Sequence, residues 1–304
     1  MQMMNKNGFS RCGENYINRL RKEGRYSTAH VYKNALYSFS KFCGTLNMSF
    51  RQVTKERLRR YGQYLYECGL KPNTISTYMR MLRSIYNRGV DMHQAPYVHG
   101  LFRDVFTGVD TRQKKAIPIS ELHMLLNKDP QSEKLRRTQA IANLLFQFCG
   151  MPFSDLAHLE KSNLERGLLK YNRTKTGTPM SIEVLESAQN AIGGLYNKSD
   201  ARSSGYPDYL FRILSGAYKR NEEGAYREYQ SALRRFNNEL KSLSRKLRLH
   251  SPVTSYTLRH SWATTAKYRG VPIEMISESL GHKSIKTTQI ISERLWIKRT
   301  HRGE

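Results

Sequence analysis

The chain has 304 residues, 38% of them hydrophobic, and 51 Lys and Arg against 25 Asp and Glu, a formal net charge of +26. That length allows two domains, while the absence of a run of about eighteen apolar residues or of an apolar leader excludes an obvious membrane span or secretion signal and predicts a soluble, intracellular chain. The cationic excess favours a polyanionic partner, nucleic acid first, and Cys12, Cys43, Cys68 and Cys149 are too scattered for a disulfide framework or a zinc site, so reduced thiols are expected.

Between Ser27 and Gly44 the apolar residues Val31, Ala35, Phe39, Phe42 and Leu46 recur at spacings of three and four, which predicts a helix with Ser27 or Thr28 as its N-cap. Thr54 opens a second helix lined by Leu58, Tyr61 and Leu65 and stopped at Gly69; its other faces carry Lys55, Arg57, Arg59 and Arg60. Pro72 and Asn73 introduce a third, apolar at Ile75, Tyr78, Met79, Leu82 and Ile85, cationic at Arg80, Arg83 and Arg88, and closed by Gly89. Three or four such helices make an N-terminal bundle over residues 1–106. Residues 107–117 lack a hydrophobic period and include Lys114 and Lys115, which reads as an exposed linker able to lie along phosphates.

A second domain is expected over residues 118–304. It opens with a helix from Ser120 and another ending in Ile141, Leu144, Leu145 and Phe148. Residues 168–184 are β-prone on both sides of Lys175-Thr-Gly177, the pattern of a hairpin whose turn carries a lysine. Leu233, Phe236, Leu240, Leu243 and Leu247 then mark a long helix before Pro252. The predicted fold class is therefore mainly α with a small β-hairpin or sheet.

Two strings near the C-terminus carry the most specific signal: Thr254-Ser-Tyr-Thr-Leu-Arg-His-Ser-Trp-Ala-Thr264 and, at helical distance, Ile276-Ser-Glu-Ser-Leu-Gly-His-Lys-Ser-Ile-Lys-Thr-Thr-Gln-Ile290. In residue type and order they resemble the C-terminal boxes of the tyrosine recombinases, or phage integrases. The resemblance spans most of the chain. It implies a SAM-like core-binding domain followed by a catalytic domain, a C-shaped clamp around duplex DNA, and attack of a tyrosine hydroxyl on a phosphodiester without metal, nucleotide or other cofactor. It also implies assembly on DNA as a homo- or hetero-oligomer and a cytoplasmic, nucleoid-associated place in a bacterium.

Such a reaction develops negative charge at phosphorus, which preorganised cationic donors stabilise. By the resemblance, Arg259 corresponds to the second family arginine, whose fork can hold two phosphate oxygens, and His282 to the histidine that hydrogen-bonds the scissile phosphate. Lys175 corresponds to the hairpin lysine that protonates the leaving oxygen, against the plainer reading of a basic turn. Tyr256 stands where relatives carry a histidine; its phenol can donate a hydrogen bond or simply pack on its helix. His260 and Trp262 are assigned to packing.

Two departures weigh against catalysis. The first family arginine belongs to Phe148-Cys-Gly-Met-Pro-Phe-Ser-Asp-Leu-Ala-His-Leu159, and the positions that could hold it are occupied by Cys149 and Pro152. Cys149 reads as a structural thiol rather than a nucleophile. The nucleophilic tyrosine falls at Ile291, and no tyrosine follows Tyr268. Ser292, turned by about 100° along a helix and several ångströms shorter, is a poor substitute. The expectation is a DNA-binding, cleavage-deficient member of the family, with an active recombinase whose nucleophile is supplied otherwise as the alternative. Phosphate or base contacts are expected from Lys55, Arg59, Arg80, Arg83, Arg88, Lys114 and Lys115.

Overall fold

The computed structural model describes residues 8–110, 116–199, 204–282, 284, 285 and 288. The chain divides into two compact units, residues 1–112 and 113–304.

The first unit is a helical bundle: α1 (Phe9–Lys22), α2 (Tyr26–Cys43), α3 (Lys55–Glu67) and α4 (Pro72–Asp91), with a short 3₁₀ turn at Phe50–Gln52. Phe9, Phe39, Leu58, Tyr61, Met79, Leu82 and Ile85 are its fully buried centre, and the Phe9 ring meets Phe39 and Phe50 edge-on at 6.2 and 5.7 Å. The sequence places the apolar stripes of α3 and α4 correctly. In α2 the buried hydrophobic positions are Ala29, Tyr32, Ala35, Leu36 and Phe39, whereas Leu46 is 69% exposed beyond the helix. Ser27 and Thr28 lie inside the first turn of α2; Arg25 occupies the N-cap, with no side-chain cap bond.

Gly89 does not close α4. It sits inside the last turn, where an added Cβ would lie 2.2 Å from the Phe50 ring, so the glycine is there for close packing. The described start of the expected linker, residues 107–110, is hydrogen-bonded to the bundle. Ser76 Oγ donates to the Gly108 carbonyl at 2.6 Å, and the Asn73 amide and Asp110 backbone exchange two hydrogen bonds at 2.6 and 2.8 Å, which strap this segment to α4. Ile117, at the far end of the expected linker, is buried in the second unit, its N–H donating to Ser261 Oγ at 3.1 Å.

The second unit contains α5 (Ile119–Asn127), α6 (Glu133–Gln147), α7 (Phe153–Ala157), strands β1 (Leu164–Glu165), β2 (Leu168–Asn172) and β3 (Pro179–Glu183), then α8 (Glu186–Leu195), α9 (Glu223–Lys246), α10 (Ser255–Tyr268) and α11 (Ile273–Ser279). The strands form one antiparallel sheet in the order β1-β2-β3. Leu169 pairs with Ile182 on its core face, while Leu168 opposite Glu183 faces outward. The hairpin is as the sequence predicts, and β1 is an added edge strand. Leu144, Leu145, Leu156, Phe236, Leu240 and Leu258 are buried at the centre of this unit, with Phe153 stacked on Phe236 at 4.7 Å. A smaller cluster of Ala263, Ala266, Ile276 and Leu280 joins α10 to α11. Among the described residues no helix is long and apolar enough to cross a membrane.

Candidate phosphate-binding site

Thr254 caps α10: its hydroxyl accepts from the Thr257 N–H while Thr257 Oγ1 accepts from the Thr254 N–H. This fixes the first turn. One turn further on, Arg259 is carried inward and is only 4% exposed. Its guanidinium donates from Nη1 to the Gly150 carbonyl at 2.9 Å and from Nη2 to the Leu280 carbonyl at 2.5 Å. Gly150 has a left-handed backbone, φ +65°, and a Cβ there would stand 3.2 Å from both Arg259 Cα and Trp262 Cβ, so a glycine is what lets this loop approach α10.

The same Arg259 Nη2 lies 3.1 Å from His282 Nε2. A guanidinium can only donate, so Nε2 accepts, and the ring proton sits on Nδ1, 2.9 Å from the Thr288 hydroxyl to which it donates. Burial, and then the charges of Arg259 and Arg173, push the His282 pKa down to about 4, so the ring is neutral at pH 7. Burial likewise lowers the Arg259 pKa to about 10, with the Arg173 charge the next cause; the group remains a cation at neutral pH.

Arg173, which the sequence did not single out, joins this cluster of buried donors. It follows the last residue of β2, is 7% exposed, and makes a 2.8 Å ion pair from Nε to Oδ2 of the fully buried Asp155 on α7. Its Nη1 donates to the same Leu280 carbonyl that Arg259 uses. Lys175, two residues on, is exposed at the hairpin turn, and its charge adds to the lowering of His282. Tyr256 is 49% exposed, with its ring edge-on to His260 at 4.6 Å.

Cys149 is half-buried with φ +56°, and burial pushes its thiol pKa up, away from the thiolate that a nucleophile requires. Pro152 is the N-cap of α7. Ile291 and Ser292 lie outside the described residues.

On the first unit, Lys55 and Arg59 of α3 and Arg80 and Arg83 of α4 are exposed. Arg88 is not a solvated cation on that face: its guanidinium carbon sits 3.4 Å above the Tyr16 ring, a contact internal to the bundle. Lys114 and Lys115 lie outside the described residues.

Comparison with known proteins finds two family matches along the chain. Residues 9–97 match the phage integrase SAM-like domain, and residues 116–292, more than half of the chain, match the model of the phage integrase family. The chain belongs to the phage integrase family, the tyrosine recombinases. Among curated relatives it is similar to the tyrosine recombinase XerD of Halalkalibacterium halodurans, 28% identical over 255 residues that cover 80% of this chain and 78% of that protein. It is also similar to XerD of Listeria innocua, 24% identical over 270 residues that cover 87% and 86%.

Among solved structures this integrase-family fold resembles that of the Tn1549 transposon integrase in complex with a circular intermediate DNA, with a TM-score of 0.63 at 14% identity, covering 96% of this chain and 99% of that one. A lambda integrase tetramer bound to a Holliday junction gives 0.62 at 14%, covering 91% and 76%. Within this phage integrase, the segment from Cys149 to Pro152 carries no Lys or Arg. Arg173 was missed because the strand alternation does not mark the residue after β2 as buried, and only the fold brings it beside Arg259. The signal available in sequence was a lone arginine directly after an alternating strand.

Proposed function

We propose that this chain binds duplex DNA, seats a phosphodiester at Arg259 and His282, and does not cut it because position 291 carries isoleucine. The observation that carries this reading is the 3.1 Å approach of the Arg259 guanidinium to His282 Nε2, two groups that would each bond a non-bridging phosphate oxygen, in a pocket with excess positive charge. A phosphate oxygen entering there accepts from Arg259 and favours a second proton on His282, turning Nε2 from acceptor into donor. Lys175 and Tyr256 would face the same phosphate from the hairpin and from α10. Lys55, Arg59, Arg80 and Arg83 of the first unit, together with Lys114 and Lys115, supply contacts along the backbone.

An aliphatic side chain has no atom that can displace an oxygen from phosphorus. The chain then acts as a regulator or accessory factor of DNA recombination or integration, cytoplasmic and nucleoid-associated, with oligomers forming on paired sites.

The test begins by selecting a preferred duplex from a random pool and building it into a nicked suicide substrate. The full chain is expected to retain the duplex at low salt and to leave no DNA-linked band in SDS, while Ile291→Tyr produces one. A band from the unaltered chain would establish the alternative, a working recombinase with another nucleophile. Absence of any duplex affinity at low salt would remove the DNA-binding reading altogether.

A further inference from the structure

We propose that Arg173, delivered by the β2–β3 hairpin, is the second guanidinium of the phosphate pocket and replaces in space the cation missing at Cys149 and Pro152. This rests on the phosphate-binding reading of Arg259 and His282 and extends it to a residue outside the family's motifs.

Three features of the structure support this assignment. The first is convergence: Arg173 Nη1 and Arg259 Nη2 donate to one carbonyl oxygen, that of Leu280, so two like-charged forks face each other in a buried space. The second is charge. Asp155 is the only acidic side chain bonded to either guanidinium among the described residues, and His282 is neutral, so the pocket carries a surplus positive charge. Burying two guanidiniums beside one carboxylate is unfavourable unless an anion enters. The charge-assisted bonds such an anion would receive are stronger than those a carbonyl can accept.

The third is construction. The hairpin turn is closed by Arg173 N–H to the Thr178 carbonyl and Gly177 N–H to the Arg173 carbonyl, both at 2.8 Å. Asp155 ties that turn to α7 with its other oxygen, which accepts from the Thr174 N–H at 3.1 Å. Asp155 stands on the helix that Pro152 caps, so the carboxylate ties Arg173 to the helix that begins at the cation-free segment, whose Gly150 carbonyl Arg259 bonds. Gly281 lets the chain pack closely on Arg173: its φ is +62°, and a Cβ there would stand 3.0 Å from Arg173 Cδ and 2.9 Å from Met180 Sδ. Arg173 thereby points into the pocket while Lys175 stays at the exposed turn.

The experiment titrates the full chain with inorganic phosphate at low salt and follows the His282 ring by NMR, its resonance assigned by loss in His282→Gln. Phosphate is expected to shift that resonance and to raise the pH at which it titrates. Arg173→Lys, which keeps the charge but loses the fork, and Arg173→Gln combined with Asp155→Asn, which keeps the charge balance, are each expected to weaken phosphate binding by roughly tenfold to a hundredfold. Adding Pro152→Arg to that double variant is expected to restore part of the loss, a rescue that a merely structural ion pair would not give.

Unchanged phosphate affinity in both Arg173 variants, with loss in Arg259→Gln, would overturn the assignment of Arg173 alone. Unchanged affinity in Arg259→Gln as well, or no response of His282 to phosphate in the unaltered chain, would overturn the phosphate-binding reading beneath it.

Discussion

His282 is held neutral by burial and by the Arg259, Arg173, His260 and Lys175 charges around it, and this makes the site sensitive to acid. Its folded pKa near 4 lies below the ordinary 6.5, so between these values the unfolded chain binds the extra proton and the folded chain does not. The stability contributed by the neutral ring is therefore complete above about pH 6.5 and is lost as pH falls toward 4. Urea denaturation across that window should show a shallower acid slope for His282→Gln than for the parent; equal slopes would mean that the ring is not held neutral. His158, whose pKa is also lowered by burial, contributes equally to both proteins and cancels. Gly281 offers a second residue-scale check. Alanine there adds a Cβ within 3.0 Å of the Arg173 side chain at a left-handed φ, and Gly281→Ala is expected to cost about 2–4 kcal/mol, measured as a drop in the urea midpoint.

At the scale of elements, α4 shows how local preference yields to packing. In an open helix interior Gly→Ala stabilises by up to about 1 kcal/mol, and Gly62 on α3, where the nearest atom is Met79 Cε at 3.4 Å, is expected to behave in that way. Gly89 should do the reverse. Its Cβ would penetrate the Phe50 ring, which is itself held between Phe9 and Tyr86, so Gly89→Ala is expected to lose about 2–3 kcal/mol. Thermal melts of the two variants should move in opposite directions; a stabilised Gly89→Ala would show that Phe50 has room to move. The β2–β3 hairpin is the element on which the site depends most, because one short turn carries both Arg173 and Lys175. An insertion there would displace two cations at once.

For the whole molecule, the +26 charge sets the form that the proposed DNA binding would take. Six to ten phosphate contacts would make the affinity fall by about a thousandfold or more between roughly 50 and 200 mM salt. Arg83→Ala is expected to weaken binding uniformly across sequences and to reduce the slope of log affinity against log salt by about one. Filter binding at several salt concentrations measures both, and an unchanged slope would remove Arg83 from the contact surface. Arg88→Ala, by contrast, should leave the slope alone, because its guanidinium is already stacked on Tyr16.

The helical stripes of α3, α4 and α9, the hairpin around Lys175, and the pairing of Arg259 with His282 were legible in the sequence because each is a local pattern: a period of 3.6, an alternation of two, or a short string at fixed spacing. Such patterns report which face of an element is buried. They do not report what lies opposite it. Arg88 stacking on Tyr16, Gly89 admitting Phe50, and the strap from Asn73 and Ser76 to the segment before residue 111 all join residues far apart in the chain, and tertiary structure decided each of them. The pocket divides in the same way. Sequence singled out Arg259, His282 and the cation-free segment from Cys149 to Pro152, while only the fold placed Arg173 beside Arg259 and His282, because a guanidinium reaches several ångströms from its backbone and the position of its head is set by Asp155, Leu280 and the close packing at Gly281.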